Sequence, residues 1–200
     1  MNKHLMSAVI LAASLSGCAG VEKKRDSENE ARIDSYIQSL GSANTFDPQI
    51  DCNNSPSRDD WWRYEFSTST KMSMLPNGVP SVFVCVKIPD GSTELRLDSD
   101  PTGGLSYFGM TILHPSAQFL DQSYGLIKDY PVPRMRVGQG LLNNFGLTGT
   151  FDLTKVLATS EYIVVYVHPG SLESGIDVNN GMMNMWVPYS PHGALRFKFK

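Results

Sequence analysis

The residue with the most specific chemical setting in this chain is Cys18. It closes the tetrapeptide Leu15-Ser16-Gly17-Cys18: an aliphatic side chain, two small ones that fit a narrow peptidase groove, then a thiol placed to take a diacylglycerol. Lys3 and His4 form a short basic segment ahead of it, and Leu5 to Leu15 an apolar run too short to span a bilayer as a helix. The plainer alternative is an ordinary secretory leader that happens to end near a cysteine. Composition, spacing and position together favour lipidation. The acyl chains of such an anchor contribute about 0.8 kcal/mol per buried methylene and hold the protein firmly on a membrane. Ala19, not an aspartate, follows Cys18. By the sorting habit of Gram-negative lipoproteins this directs the chain to the cell outer membrane, with the domain facing the periplasm by default.

The other two cysteines, Cys52 and Cys85, are an isolated pair. In an oxidising compartment they read most simply as a disulfide, with two free buried thiols as the alternative. A redox or metal-binding pair would need CxxC spacing or neighbouring histidines, and neither is present. Catalytic chemistry finds little else. His114-Pro115 and His168-Pro169 each sit where a strand is expected to end and read as exposed turn residues, and His192 is isolated from both. No HExxH motif, short ligand cluster or GxSxG elbow occurs, and Gly138-Gln139-Gly140 lacks the rest of a phosphate-cradling pattern. Glu94, Asp98 and Asp100 would serve a glycosidase only if two of them converged in space. A solvated strand face is the simpler reading. The chain is therefore expected to be no enzyme and to need no metal or cofactor.

Aromatic residues are more suggestive. Trp61, Trp62, Tyr107, Tyr124, Trp186 and Tyr189 fall in or beside expected loops and strand ends, where sugar-binding sandwiches expose ring faces. Each ring singly is more simply a packing residue. Adjacent Trp61 and Trp62 must point to opposite sides of a strand, so one of them belongs to the core. Trp62, Trp186 and Tyr189 are the candidates for ligand contact.

The elements that position these residues follow from periodicity. Residues 20–27 are charged and small, a tether between Cys18 and the domain. Ser27-Glu28-Asn29-Glu30 opens a short helix with Ile33, Tyr36, Ile37 and Leu40 on its apolar stripe and Gly41 as its stop. After the polar loop 53–60 the period becomes two. Trp61 to Phe66, Ser81 to Ile88 and Thr93 to Asp98 read as strands, the last with one wet face, and Pro89-Asp90-Gly91-Ser92 as a turn. Further strands are expected over 107–113, 132–137 and 147–151, a helical turn near Asp152 to Leu157, and a closing strand from Ala194 to Lys200. The apolar run Glu161 to His168 belongs at the centre of a packed sheet. Many short strands, 17 glycines and 12 prolines between them and little helix predict a mainly β antiparallel β-sandwich with a short N-terminal helix. The organisation is leader 1–17, tether 18–27, helix and loop 28–57, and sandwich 58–200. The formal charge of −3 without a basic stripe argues against nucleic acid as a partner.

The order of segments resembles the maltose operon periplasmic protein (MalM) family. The likeness rests on Val79 to Phe83 followed by Thr93 to Asp98, on Phe119-Leu120-Asp121-Gln122, on Leu147 to Phe151 leading to Glu161 to Tyr166, and on the ending Gly193 to Lys200. It covers roughly residues 60–200, and the lipobox, the Cys52/Cys85 pair and the N-terminal helix stand apart from it. Membership would imply a periplasmic location and an association with carbohydrate uptake, and it brings no catalytic residues. The expected function is a non-enzymatic lipoprotein accessory to maltodextrin-type transport, binding a glycan or supporting an outer-membrane partner. The alternative is a structural or protein-interaction lipoprotein of the envelope without a small ligand.

Overall fold

The computed structural model describes residues 27–102, 110–130, 136–139, 145–155, 159–179 and 184–200. The lipobox with Cys18, the leader 1–17, the tether through residue 26 and Tyr107 lie outside them. The chain is mainly β, as expected.

Two sheets face one another. The first takes its strands in the order β1 (Asn44–Thr45), β3 (Met72–Met74), β4 (Pro80–Lys87), β11 (Tyr162–Tyr166), β7 (Ser116–Leu120) and β8 (Leu126–Tyr130). The second runs β2 (Trp62–Phe66), β14 (Gly193–Phe199), β5 (Glu94–Thr102), β10 (Phe145–Asp152) and β9 (Arg136–Gln139), with β6 (Thr111–Ile112) pairing the far end of β5. All these pairs are antiparallel except the two-residue β1, which lies parallel to β3. Val82, Val84 and Val86 of β4, Ile163 and Val165 of β11 and Phe119 of β7 meet Leu95 and Leu97 of β5 and Leu195, Phe197 and Phe199 of β14 in one buried cluster. These side chains alternate along each strand, so the two inner faces share the core of a sandwich.

The first sheet is buried on its other face as well. Phe83, Cys85, Leu120, Val164 and Tyr166 form a second apolar cluster, covered by Cys52 and Leu75 with Phe46, Val79 and Tyr124 packed against it. That double burial is why β4 and β11 read as continuous apolar runs and not as alternations. The cover is held by the Cys52–Cys85 disulfide, with Cα atoms 4.6 Å apart. A short helix α2 (Pro48–Asp51) delivers Cys52. Its start is written in the sequence: the Asp47 side chain accepts from the Gln49 amide, Pro48 occupies the first turn, and the Asp51 carboxylate accepts from the Asp47 amide at 2.9 Å. Asn54 then bridges to Val86 and accepts from the Lys87 amide at 2.8 Å. Residues expected as helix and loop are thus built into the sandwich.

Helix α1 (residues 27–39) carries the predicted stripe with one exception. Tyr36 is buried, shares a hydrogen bond with Ser81 Oγ at 3.1 Å and donates to the Val167 carbonyl at 3.2 Å, while Ile33 and Leu40 pack on the core. Ile37 is exposed. It sits one residue past Tyr36, about 100° round the helix, and so leaves the buried face.

Pro89 to Ser92 forms the expected turn, with Gly91 at φ +74° and the Ser92 amide donating to the Pro89 carbonyl. It joins strands of different sheets, β4 and β5, and is a corner of the sandwich. The closing strand lies beside β5 and ties Lys200 back to Glu94 through main-chain bonds.

Candidate functional site

A third element stands apart from the two sheets. Strands β12 (Gly175–Asn179) and β13 (Asn184–Pro188) pair antiparallel as a two-stranded ribbon. One face is apolar: Ile176, Val178, Met185 and Val187 pack with Ile112, Leu147 and Tyr189 in a separate cluster at the end of the second sheet. A main-chain bond from Tyr189 to Ser174 closes the base of the ribbon, and another from Ser190 to Ile112 holds it to β6. The alternation then places Gly175, Asp177, Asn179, Asn184, Trp186 and Pro188 together on the outer face, in cross-strand pairs Gly175–Pro188, Asp177–Trp186 and Asn179–Asn184. This strand pair was not among the expected elements. Gly, Asn and Met interrupt its short runs, and its apolar residues alternate over too few positions to stand out.

Trp186 dominates the outer face and is 57% exposed. Its six-membered ring lies diagonally over Gly175, where a Cβ would stand 2.7 Å from the indole and 2.5 Å from the Val187 carbonyl oxygen. Glycine is required there by close approach, because the ring lies directly against main chain. Asp177, directly opposite, is exposed, as is Asn184 beside it. The outer face thus carries one ring, a carboxylate on the strand directly across from it and an amide farther along, a combination of apolar and hydrogen-bonding groups of the kind that recognises a saccharide.

The other two predicted contact residues are placed elsewhere. Trp62 faces inward at the edge of the core, its ring 5.1 Å from that of Phe197 and 5.8 Å from that of Tyr64. Trp61 points the other way and is 44% exposed, as strand geometry requires. Tyr189 is buried beneath the ribbon, its ring parallel to that of His114 at 4.2 Å between centroids. Of the three, Trp186 is the exposed one, Trp62 being half-buried and Tyr189 buried.

No family model matches the chain, and no curated protein matches it. The likeness to the maltose operon periplasmic family accordingly rests on the strand patterns quoted above.

Two polar expectations are corrected by the fold. His114 is not an exposed turn residue. It is largely buried against Tyr189, its Nδ1 finds no hydrogen-bond partner among the described residues, and burial lowers its pKa to about 4. The proline after it does end the strand, but the ribbon closes over the turn. His168 is exposed as expected, and its Nδ1 accepts from the Gly170 amide. Asp98 is likewise not solvated: it is 7% exposed and takes a bidentate pair of hydrogen bonds from Arg96 at 2.9 and 3.0 Å. Asp100 pairs with Arg196 at 2.9 Å and Glu94 with Lys200 at 2.7 Å. Each of these three acids is thus engaged by a cation. Among the described residues no group of three or more metal-ligating side chains converges, and no helix is long and apolar enough to cross a membrane.

Proposed function

We propose that this chain is a non-enzymatic envelope lipoprotein, anchored through Cys18 in the outer membrane, that binds a neutral glycan of maltodextrin type on the outer face of the β12–β13 ribbon and so assists carbohydrate uptake. The observation that carries the reading is Trp186: an exposed indole resting closely against Gly175, with Asp177 opposite it on the same face. A platform fixed before the ligand arrives loses little conformational entropy on binding. Asp177 and the amide of Asn184 supply polar groups that ring hydroxyls need. The segment order shared with the maltose operon family supports the same assignment.

The test is a titration of the detergent-solubilised full chain with maltodextrins, read by tryptophan fluorescence and by calorimetry. Saturation in both signals, lost on Trp186→Ala, is the expected result. No response up to millimolar ligand would overturn the reading.

One observation favours the alternative of a protein-interaction lipoprotein. The edge strand β8 leaves Leu126 and Ile127 exposed, and an uncovered apolar edge is a place where a partner strand adds. A maltodextrin-silent protein that nevertheless cross-links through residue 126 to an envelope protein in cells would support that role.

A further inference from the structure

The outer face of the second sheet carries a cluster of charge that the ribbon site does not use. Trp61 reaches from the start of β2 across β14 to β5. Its ring centroid lies 5.3 Å from the Arg196 guanidinium carbon, 5.4 Å from that of Arg96 and 5.8 Å from Lys198 Nζ. The register sets cation against cation, Arg63 opposite Arg196 and Lys198 opposite Arg96. Like charges in such positions are unfavourable in a sheet. An indole face attracts each cation but neutralises none of them.

The acids on this face are already engaged. Asp98 is held by Arg96, Asp100 by Arg196, and Glu65 lies 3.7 Å from Arg63. Lys198 has no carboxylate partner among the described residues. Around Trp61 stand Arg63, Arg96, Arg196 and Lys198 with Glu65, Asp98 and Asp100, one cation more than carboxylates, while farther along the sheet Glu94 pairs with Lys200 and Asp152 with Lys155. Segregated charge of this kind selects a partner of opposite sign.

We infer that this face binds an acidic oligosaccharide, a sugar chain bearing sulfate, phosphate or carboxylate groups, with Lys198 and Arg63 taking the anionic groups and Trp61 contacting a sugar ring. The indole argues for a saccharide over a bare anion, because the part of Trp61 that its cation contacts leave exposed, 44%, offers apolar area to a sugar ring. Arg96 and Arg196 are fixed by Asp98 and Asp100 and so offer their remaining N–H groups in set directions. This face is distinct from the ribbon, and its ligand is of opposite electrostatic character to a neutral maltodextrin.

Calorimetric titration of the detergent-solubilised full chain with a dextran sulfate oligosaccharide, and with unsulfated dextran of the same length, tests the inference. Saturable binding of the sulfated chain is expected, weakening steeply as salt is raised and weakened about tenfold by Lys198→Gln combined with Arg63→Gln. Trp61→Ala should weaken it too, and Trp186→Ala should leave it unchanged. Arg63 is well exposed, so Arg63→Gln alone serves as a variant whose folding is not in question, and it should lower the affinity measurably. Equal affinity for sulfated and unsulfated dextran, or sulfated binding indifferent to all of these variants, would overturn the inference. So would variant-sensitive binding to phosphatidylglycerol vesicles with none to the oligosaccharide, which would make the face a membrane contact. A maltodextrin-silent protein that passes this test would sink only the ribbon reading.

Discussion

The indole of Trp186 rests on the backbone of Gly175, so closely that a single methyl group at Gly175 would meet both the ring and the Val187 carbonyl oxygen. Two residues eleven positions apart in the chain thereby fix an exposed aromatic platform on the ribbon.

Gly175→Ala should therefore displace the ring. The carbonyl cannot swing aside as a flexible side chain would, so the ribbon must shift. Overpacking of this kind costs about 1–3 kcal/mol. A lowered urea midpoint together with altered tryptophan emission is the expected outcome. An unchanged midpoint would show that the ring is not held there.

Reduction of Cys52–Cys85, or its replacement by serines, should destabilise the sandwich by about 3–4 kcal/mol in the chain-entropy treatment of a loop of this length, separation 33. Loss should be local at first. Hydrogen exchange should rise over residues 44–56 and on β4 before it rises on β5 and β14, because the disulfide holds the cover of the first sheet and not the shared core. Uniform loss of protection would contradict that order.

Stability should fall on acidification, in part through His114. Its folded pKa, about 4, lies below its ordinary value of 6.5, so between those limits the unfolded chain binds the proton and the folded chain does not. By linkage the folded state then loses ground as pH drops from about 6.5 towards 4, by at most about 3 kcal/mol. His192 is shifted in the same direction by burial, then by the Arg32 charge. His114→Phe keeps a flat ring against Tyr189 and removes both the titration and the unpartnered Nδ1. Denaturant midpoints measured at pH 7 and pH 4.5 should differ less in this variant than in the parent. An identical pH dependence would rule out His114 as a source.

Asp98→Asn should cost about 1–2 kcal/mol. It weakens the bidentate pairing with Arg96, but the arginines are about two-fifths exposed, and water replaces much of what they lose. Chemical denaturation reads the effect. A loss beyond about 4 kcal/mol would mean that the arginines are sealed from water.

Local period dictates one part of this fold. Alternation in Glu94 to Asp98 and in Ala194 to Phe199, the unbroken apolar run of β11, the turn at Gly91 and the stripe through Ile33 and Tyr36 are each consequences of which side chains must leave water. One extended segment through 61–62 forces the adjacent tryptophans to opposite sides whatever surrounds them. The tertiary structure decided everything that depends on which surface is later covered. His114 and Asp98 have the composition of exposed positions, and only the ribbon over one and the arginines of two strands around the other change their surroundings. Cys52 and Cys85 were a pair by elimination, but it was the packing of α2 on the outside of the first sheet that brought their Cα atoms within 4.6 Å. Likewise Trp62, Trp186 and Tyr189 are equivalent as letters. One turned into the core edge, one went under the ribbon, and one remained outside, because hydrophobic burial is settled by long-range contacts that no window of neighbouring residues contains.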